Sequence, residues 1–180
     1  MSKPNELSIG NEVSKKSFFQ KHEKELLEFA ENERRPEALI IGCADSRVIP
    51  TLITNSNPGD LFVIRNAGNF IAPYKPDEDY HSTIEYAINA LNSSVIIVCD
   101  HRPRSPTEAI RNRVDGKGFF CTKKRLSLGK KAKTTDVKER VDAETLHVHG
   151  WFCDMATGTI GYYDPDDVQF KVLEENKGAL

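Results

Sequence analysis

Two short stretches of this chain carry reactive side chains at close spacing, Cys43-Ala44-Asp45-Ser46-Arg47 and Asp100-His101. A third, Arg65-Asn66-Ala67-Gly68-Asn69, adds a cation, two amides and a glycine. Thiolate and imidazole are donor types that suit zinc. A carboxylate and a guanidinium two residues apart can pair, and such a pair either stabilises a loop or orients a reactant. The cysteines Cys43, Cys99, Cys121 and Cys153 include no CxxC spacing, and isolated cysteines serve as small buried hydrophobes or as metal ligands. His147 and His149 alternate onto one face of a strand, where they are either exposed side chains or two metal ligands.

The elements around these residues explain how they would meet. Ala38-Leu39-Ile40-Ile41, between Pro36 and Gly42, reads as a buried parallel strand. Leu61 to Ile64 and Val95 to Cys99 read the same way, the former entered through the turn Asn57-Pro58-Gly59-Asp60. All three strands end in the reactive stretches. In parallel sheets, sites form where loops leave the carboxyl ends of strands. An amphipathic helix is predicted over about 13–33, with Ser14 as N-cap and an apolar stripe of Phe18, Phe19, Leu26 and Ala30. Further helices are predicted over 81–91 and 136–143. A strand over 145–152, a turn over 154–158 and a hairpin partner over 159–163 close the chain. The expected fold is α/β: a mostly parallel sheet of about four strands, flanked by helices, plus a C-terminal hairpin strand.

Composition sets the outer bounds. The chain has 180 residues, 38% hydrophobic and 29% charged, which suits one domain over 1–180 with a real core. The longest clean apolar run, Val95 to Cys99, is too short for a membrane span. The first residues lack the apolar core of a secretory signal, so a cytoplasmic location is expected, with 1–12 a flexible lead-in. The net charge of -2 hides an asymmetry. Eleven basic residues between Arg102 and Lys133 face only Glu108 and Asp115, so that segment carries +9 and the remainder -11. Its portion from about 112 to 135 is rich in glycine and lysine and reads as a basic loop or partly disordered insert. It is either a solvated surface segment or a contact for polyanions. No nucleic-acid motif accompanies it, and the overall balance argues against a dedicated nucleic-acid binder.

Ile41-Gly42-Cys43-Ala44-Asp45-Ser46-Arg47-Val48 resembles the cysteine–x–aspartate–serine–arginine signature of the β-class carbonic anhydrases. Pro58 to Asn69 resembles that family's second signature, Ser82 to Ala87 its next helix, Val98-Cys99-Asp100-His101 its histidine-bearing strand end, and Leu146 to Phe152 its late strand. The resemblance implies a β-carbonic-anhydrase-like fold and the interconversion of carbon dioxide and bicarbonate by zinc-bound hydroxide. It also implies a homodimer or higher oligomer with the site near the subunit interface. By position, Cys43, Asp45 and His101 would be the metal residues. Asp45 and Arg47 would be the catalytic pair, with Asp45 either on the metal or released to Arg47. Arg65, Asn66, Gly68 and Arg104 would line the pocket.

One departure bears directly on the metal. The family places a second cysteine ligand three residues after the histidine, and here that position is Arg104. A guanidinium stays protonated and offers no lone pair. Three arrangements follow. Zinc could be held by Cys43, Asp45 and His101 with water as the fourth ligand. Another group among Cys99, Cys121, Cys153, His147 and His149 could replace the thiolate. Or no metal binds, and Arg104 pairs with Asp45 or Asp100. The functional expectations divide in the same way. The first is carbon dioxide hydration with an altered, impaired metal site. The second is a non-catalytic pseudoenzyme that binds a small anion or acts as a regulatory dimer. The third is polyanion binding through 102–133.

Overall fold

The apolar runs of the sequence become the centre of one sheet. The structure, a computed structural model, describes residues 3–32, 35–69, 79–101, 135–164, 166 and 169–173. The chain divides into two units, Met1–Arg34 and Arg35–Leu180.

The first unit is helical. Helix α1 (Lys3–Ser14) passes through a π-helical turn (Lys15–Phe19), and α2 spans Glu23–Glu31. The helix therefore begins well before the predicted start, and residues 3–12, read from sequence as a flexible lead-in, are helical. Ser14 has helical backbone angles (φ -60, ψ -40) and makes no side-chain capping bond, so it is not an N-cap. No residue of these elements is buried.

The described residues of the second unit form a six-stranded sheet in the order β2-β1-β3-β4-β5-β6. The strands are β1 (Ala38–Cys43), β2 (Leu61–Asn66), β3 (Val95–His101), β4 (His147–Cys153), β5 (Ile160–Asp164) and β6 (Gln169–Val172). Strands β2, β1, β3 and β4 are parallel, whereas β5 and β6 run antiparallel to their neighbours. The predicted hairpin is β4–β5, and its turn carries Gly158 at φ +72, a conformation that glycine adopts without strain. Strand β6 is an addition that no apolar run announced. Among the described residues its helices are α3 (Pro50–Ile53), α4 (Asp79–Glu85, continued by a π-helical turn to Ala90) and α5 (Thr135–Asp142).

Period-two alternation sorts the strand residues between two faces. On one face Leu39, Ile41, Ile64, Ile96 and Val98 pack with Ile84, Ala87, Ile88 and Val137 from α4, its π-helical continuation and α5. On the other, Ile40, Ile97, Cys99, Trp151 and Cys153 form a second cluster, joined by Ile53 of α3. Leu39, Ile40, Ile41 and Ile88 are wholly inaccessible, which makes β1 the stiff centre of the unit. Buried polar bonds fix the ends of these elements. Ser93 Oγ donates to Pro36 O at 2.7 Å, and Arg140 Nη1 donates to Ile88 O at 2.6 Å.

Candidate active site at the carboxyl ends of the parallel strands

Strands β1, β2 and β3 all run further than their apolar cores. Gly42 pairs with Arg65 on one side and Cys99 on the other, and Cys43 pairs with Asn66. Cys43, Arg65, Asn66, Asp100 and His101 are thus the last rungs of the sheet, and the ladder itself positions Cys43, Arg65 and His101. Cys43 is 4% exposed and His101 is 6% exposed, so the thiol and the imidazole are both drawn out of water.

The chain after Cys43 makes a tight turn. Asp45 N–H donates to Cys43 Sγ at 3.4 Å, and Val48 N–H donates to Asp45 O at 3.0 Å. Arg47 folds back onto Asp45: its backbone N–H and its Nε donate to Oδ1 at 3.0 and 2.9 Å, and Nη2 donates to Oδ2 at 2.6 Å. This fork-on-carboxylate geometry is the strong form of the ion pair. The side-chain bond from Arg47, followed by its backbone bond and its charge, holds the Asp45 carboxyl well below the usual carboxylate range. The same bond raises Arg47 in return. A carboxylate has about four acceptor sites. Arg47 fills two on Oδ1 and one on Oδ2, so one site on Oδ2 stays open.

The β3 end is held by polar bonds as well. Asp100 Oδ1 accepts the His101 N–H at 2.9 Å, and Asn69 Nδ2 donates to Cys99 O at 2.8 Å. Asn69 is fully buried and sits at φ +43, a left-handed conformation that asparagine tolerates. The sequence places this residue in the reactive stretch 65–69, but its buried bond to β3 is seen only in the fold. Gly68 lies in the same 3-10 turn, Ala67–Asn69. Arg65 does not simply face a pocket: Nε donates to Cys43 O at 3.0 Å, and Nη2 donates to Asp45 O at 2.6 Å and to Val48 O.

Among the described residues, no three His, Cys, Asp or Glu side chains come together as a metal site. Two donors of the right chemistry are nonetheless ready. Cys43 offers a buried sulfur, and His101 Nδ1 is a buried nitrogen with no hydrogen-bond partner. A thiolate–imidazole pair with a carboxylate beside it fits zinc as a donor set. The carboxylate of Asp45 is committed to Arg47, so it joins the set only when Arg47 lets go. Of the replacement ligands considered from sequence, Cys99 and Cys153 are buried in the core cluster with Ile40, Ile97 and Trp151, and Cys153 is the register partner of His101. Burial, then Cys153 and Asp100, pushes the Cys99 thiol up to about 12, far from a thiolate at neutral pH. His147 and His149 stand at the start of β4, paired with Val95 and Ile97. Arg104, Cys121 and the basic segment 102–133 lie outside the described residues.

The carbonic anhydrase family profile matches residues 38–116, the stretch that builds β1, β2 and β3. A carbonic anhydrase of Helicobacter pylori (strain J99) is 29% identical over 192 residues, spanning 84% of this chain and 87% of that one. A Synechocystis carbonic anhydrase is 45% identical over 93 residues, covering 51% of this chain but only 34% of that relative. Among solved structures, the β-carbonic anhydrase CcaA superposes with a TM-score of 0.79 at 27% identity, over 95% of this chain and 92% of its own. The Coccomyxa β-carbonic anhydrase, solved with acetazolamide, gives 0.60 at 25% identity, over 86% and 84%. The profile, the relatives and the solved structures agree that this chain is similar in sequence and fold to the β-class carbonic anhydrases.

Proposed function

We propose that this protein catalyses the reversible hydration of carbon dioxide to bicarbonate, using zinc in a metal site altered by the arginine at position 104. The observation that carries the reading is the Asp45–Arg47 fork beside the buried thiol of Cys43. Cys43 and His101 would hold the ion; Asp45 would join them only in a resting form in which Arg47 has released it, and would stay paired with Arg47 during hydration. When bound, zinc makes water acidic enough to act as a nucleophile at neutral pH.

The chain's own residues would handle the proton and the geometry. Asp45, kept ionised by Arg47, is a permanent acceptor at neutral pH. Its open site on Oδ2 can take the hydrogen bond of the attacking water and fix that water's orientation. Arg47 keeps the carboxylate from rotating, because the fork defines a plane and not merely a distance. The charge of Arg47, whose side chain is 55% exposed, also attracts the bicarbonate anion.

The test is carbon dioxide hydration by stopped flow on wild type, Asp45→Asn and Arg104→Cys. The reading expects measurable turnover above buffer, a loss of about tenfold or more in Asp45→Asn, and a gain in Arg104→Cys. No turnover in wild type and no gain in Arg104→Cys would overturn it.

Arg104 favours a second reading, a zinc-free pseudoenzyme holding bicarbonate or another small anion beside Arg47 as a regulatory dimer. That reading expects Arg104→Cys to gain zinc and activity from a baseline of none. Assembly as a homodimer or larger oligomer is part of both readings. It is supported by the apolar side chains of the helical unit, where Phe18, Phe19 and Leu27 are 43%, 48% and 57% exposed. No helix among the described residues is long and apolar enough to cross a membrane, and a cytoplasmic location remains our reading.

A further inference from the structure

Arg65 ends β2 opposite Gly42, and its side chain reaches across to the turn that leaves β1. Three backbone carbonyls of that turn, those of Cys43, Asp45 and Val48, accept hydrogen bonds from it. Few other bonds hold this stretch. Ala44 N–H reaches Asn66 O at 2.9 Å, Asp45 N–H reaches Cys43 Sγ, Val48 N–H reaches Asp45 O, and Arg47 bonds the Asp45 carboxylate through its N–H and its side chain. The turn is otherwise open to solvent: Ala44, Ser46 and Arg47 are exposed. A single planar guanidinium therefore supplies the connection between β2 and the carbonyls on both sides of Asp45.

We propose that Arg65 is a positioning residue: it clamps the turn 43–48 so that the Cys43 sulfur and the Asp45–Arg47 pair hold a fixed mutual geometry. The inference rests on the proposed hydration chemistry for its consequence, and on the three carbonyl bonds for its mechanism. Arginine is required because its donors form a rigid fork, so one group can serve carbonyls three and five residues apart along the turn. Lysine keeps the charge at a single nitrogen on a flexible stem and cannot hold all three. Nε and Nη2 of Arg65 are committed to the backbone, so its role as a pocket-lining group for an anion gives way to this one.

The experiment compares wild type, Arg65→Gln and Arg65→Lys by amide hydrogen exchange of residues 43–48, by native-state labelling of Cys43 with a thiol reagent mapped to its peptide, and by hydration kinetics. Exchange at 44–48 should accelerate about tenfold in both variants, while residues 39–42 in the middle of β1 stay protected. Cys43 labelling should accelerate with it. Where wild type turns over, kcat should fall with KM changed less than about twofold, because the clamp touches no substrate. Arg65→Lys should fail to rescue. Unchanged exchange and labelling in both variants would overturn the clamp, as would full rescue by lysine. Should Arg65→Gln fail to fold, Arg65→Lys alone decides between these outcomes. A wild type without turnover would count against the hydration reading only, since exchange and labelling judge the clamp without it.

Discussion

His101 offers a test in which stability and function pull in opposite directions. Its ring lies almost wholly out of water, and Nδ1 has no partner. A buried polar atom left unsatisfied costs about 1–3 kcal/mol. Leucine has a similar volume and no polar atom, and it would extend the apolar face formed by Ile97 and Cys99. His101→Leu should therefore stabilise the metal-free protein. For a chain of this length each kcal/mol moves the melting temperature by about 2–4 °C, so a rise of roughly 2–12 °C is expected. Zinc reverses the order. At about 100 times its dissociation constant, a ligand bound only by the folded state adds about 2.7 kcal/mol. Wild type should gain roughly 5–11 °C from it, and His101→Leu should gain far less. The assay is thermal unfolding by circular dichroism, with chelator and then with excess zinc. A variant that melts below wild type in chelator would refute the argument, because the imidazole would then be satisfied. So would a variant that keeps the full zinc-induced rise.

Other expectations follow from single contacts. Ser93→Ala removes the bond to the buried Pro36 carbonyl and should cost about 1–3 kcal/mol, read as a lower urea midpoint at unchanged slope. Burial, and secondarily His147, depresses His149 below its ordinary 6.5. The neutral ring is thus the form the fold prefers. The stability it contributes is complete above about pH 6.5 and is lost as pH falls toward the depressed value, so His149→Gln should flatten that part of the stability profile. Cys99, with its thiol pushed up to about 12, should resist alkylation at pH 8 in the folded protein and react on unfolding; labelling of the native state at the rate of a free thiol would contradict its burial.

The parts of the fold that were legible in sequence are those governed by local pattern. Leu39-Ile40-Ile41 between Pro36 and Gly42 reads as a buried strand because nothing polar interrupts it. The Asp45–Arg47 pair was also within reach, since two residues in a turn meet without help from the rest of the chain. The lengths of the strands were not legible. Cys43, Asn66 and His101 are polar or reactive, and only the neighbouring strands, by pairing with them, make them strand ends. The destination of Arg65 depends on the parallel register that sets it against Gly42, a contact across more than twenty residues of sequence. Strand β6 was missed for a related reason. Gln169-Phe170-Lys171-Val172 is a short edge strand of mixed polarity, specified by pairing with Gly161 to Asp164. Close packing adds to that pairing: a Cβ on Gly161 would come within 3.2 Å of the Lys171 carbonyl oxygen. At the other end of the chain, Ser14 has the composition of a cap, but its backbone continues the helix.

The central claim is that Cys43 and His101 still hold zinc although position 104 is an arginine. The most direct measurement is zinc content per chain by atomic emission, on untagged protein purified without chelator, beside Cys43→Ser prepared in the same way. The account predicts about one zinc per chain in wild type and a large loss in the variant. Essentially no zinc in wild type, even after zinc is supplied, would contradict it and leave an anion-binding scaffold as the reading to pursue.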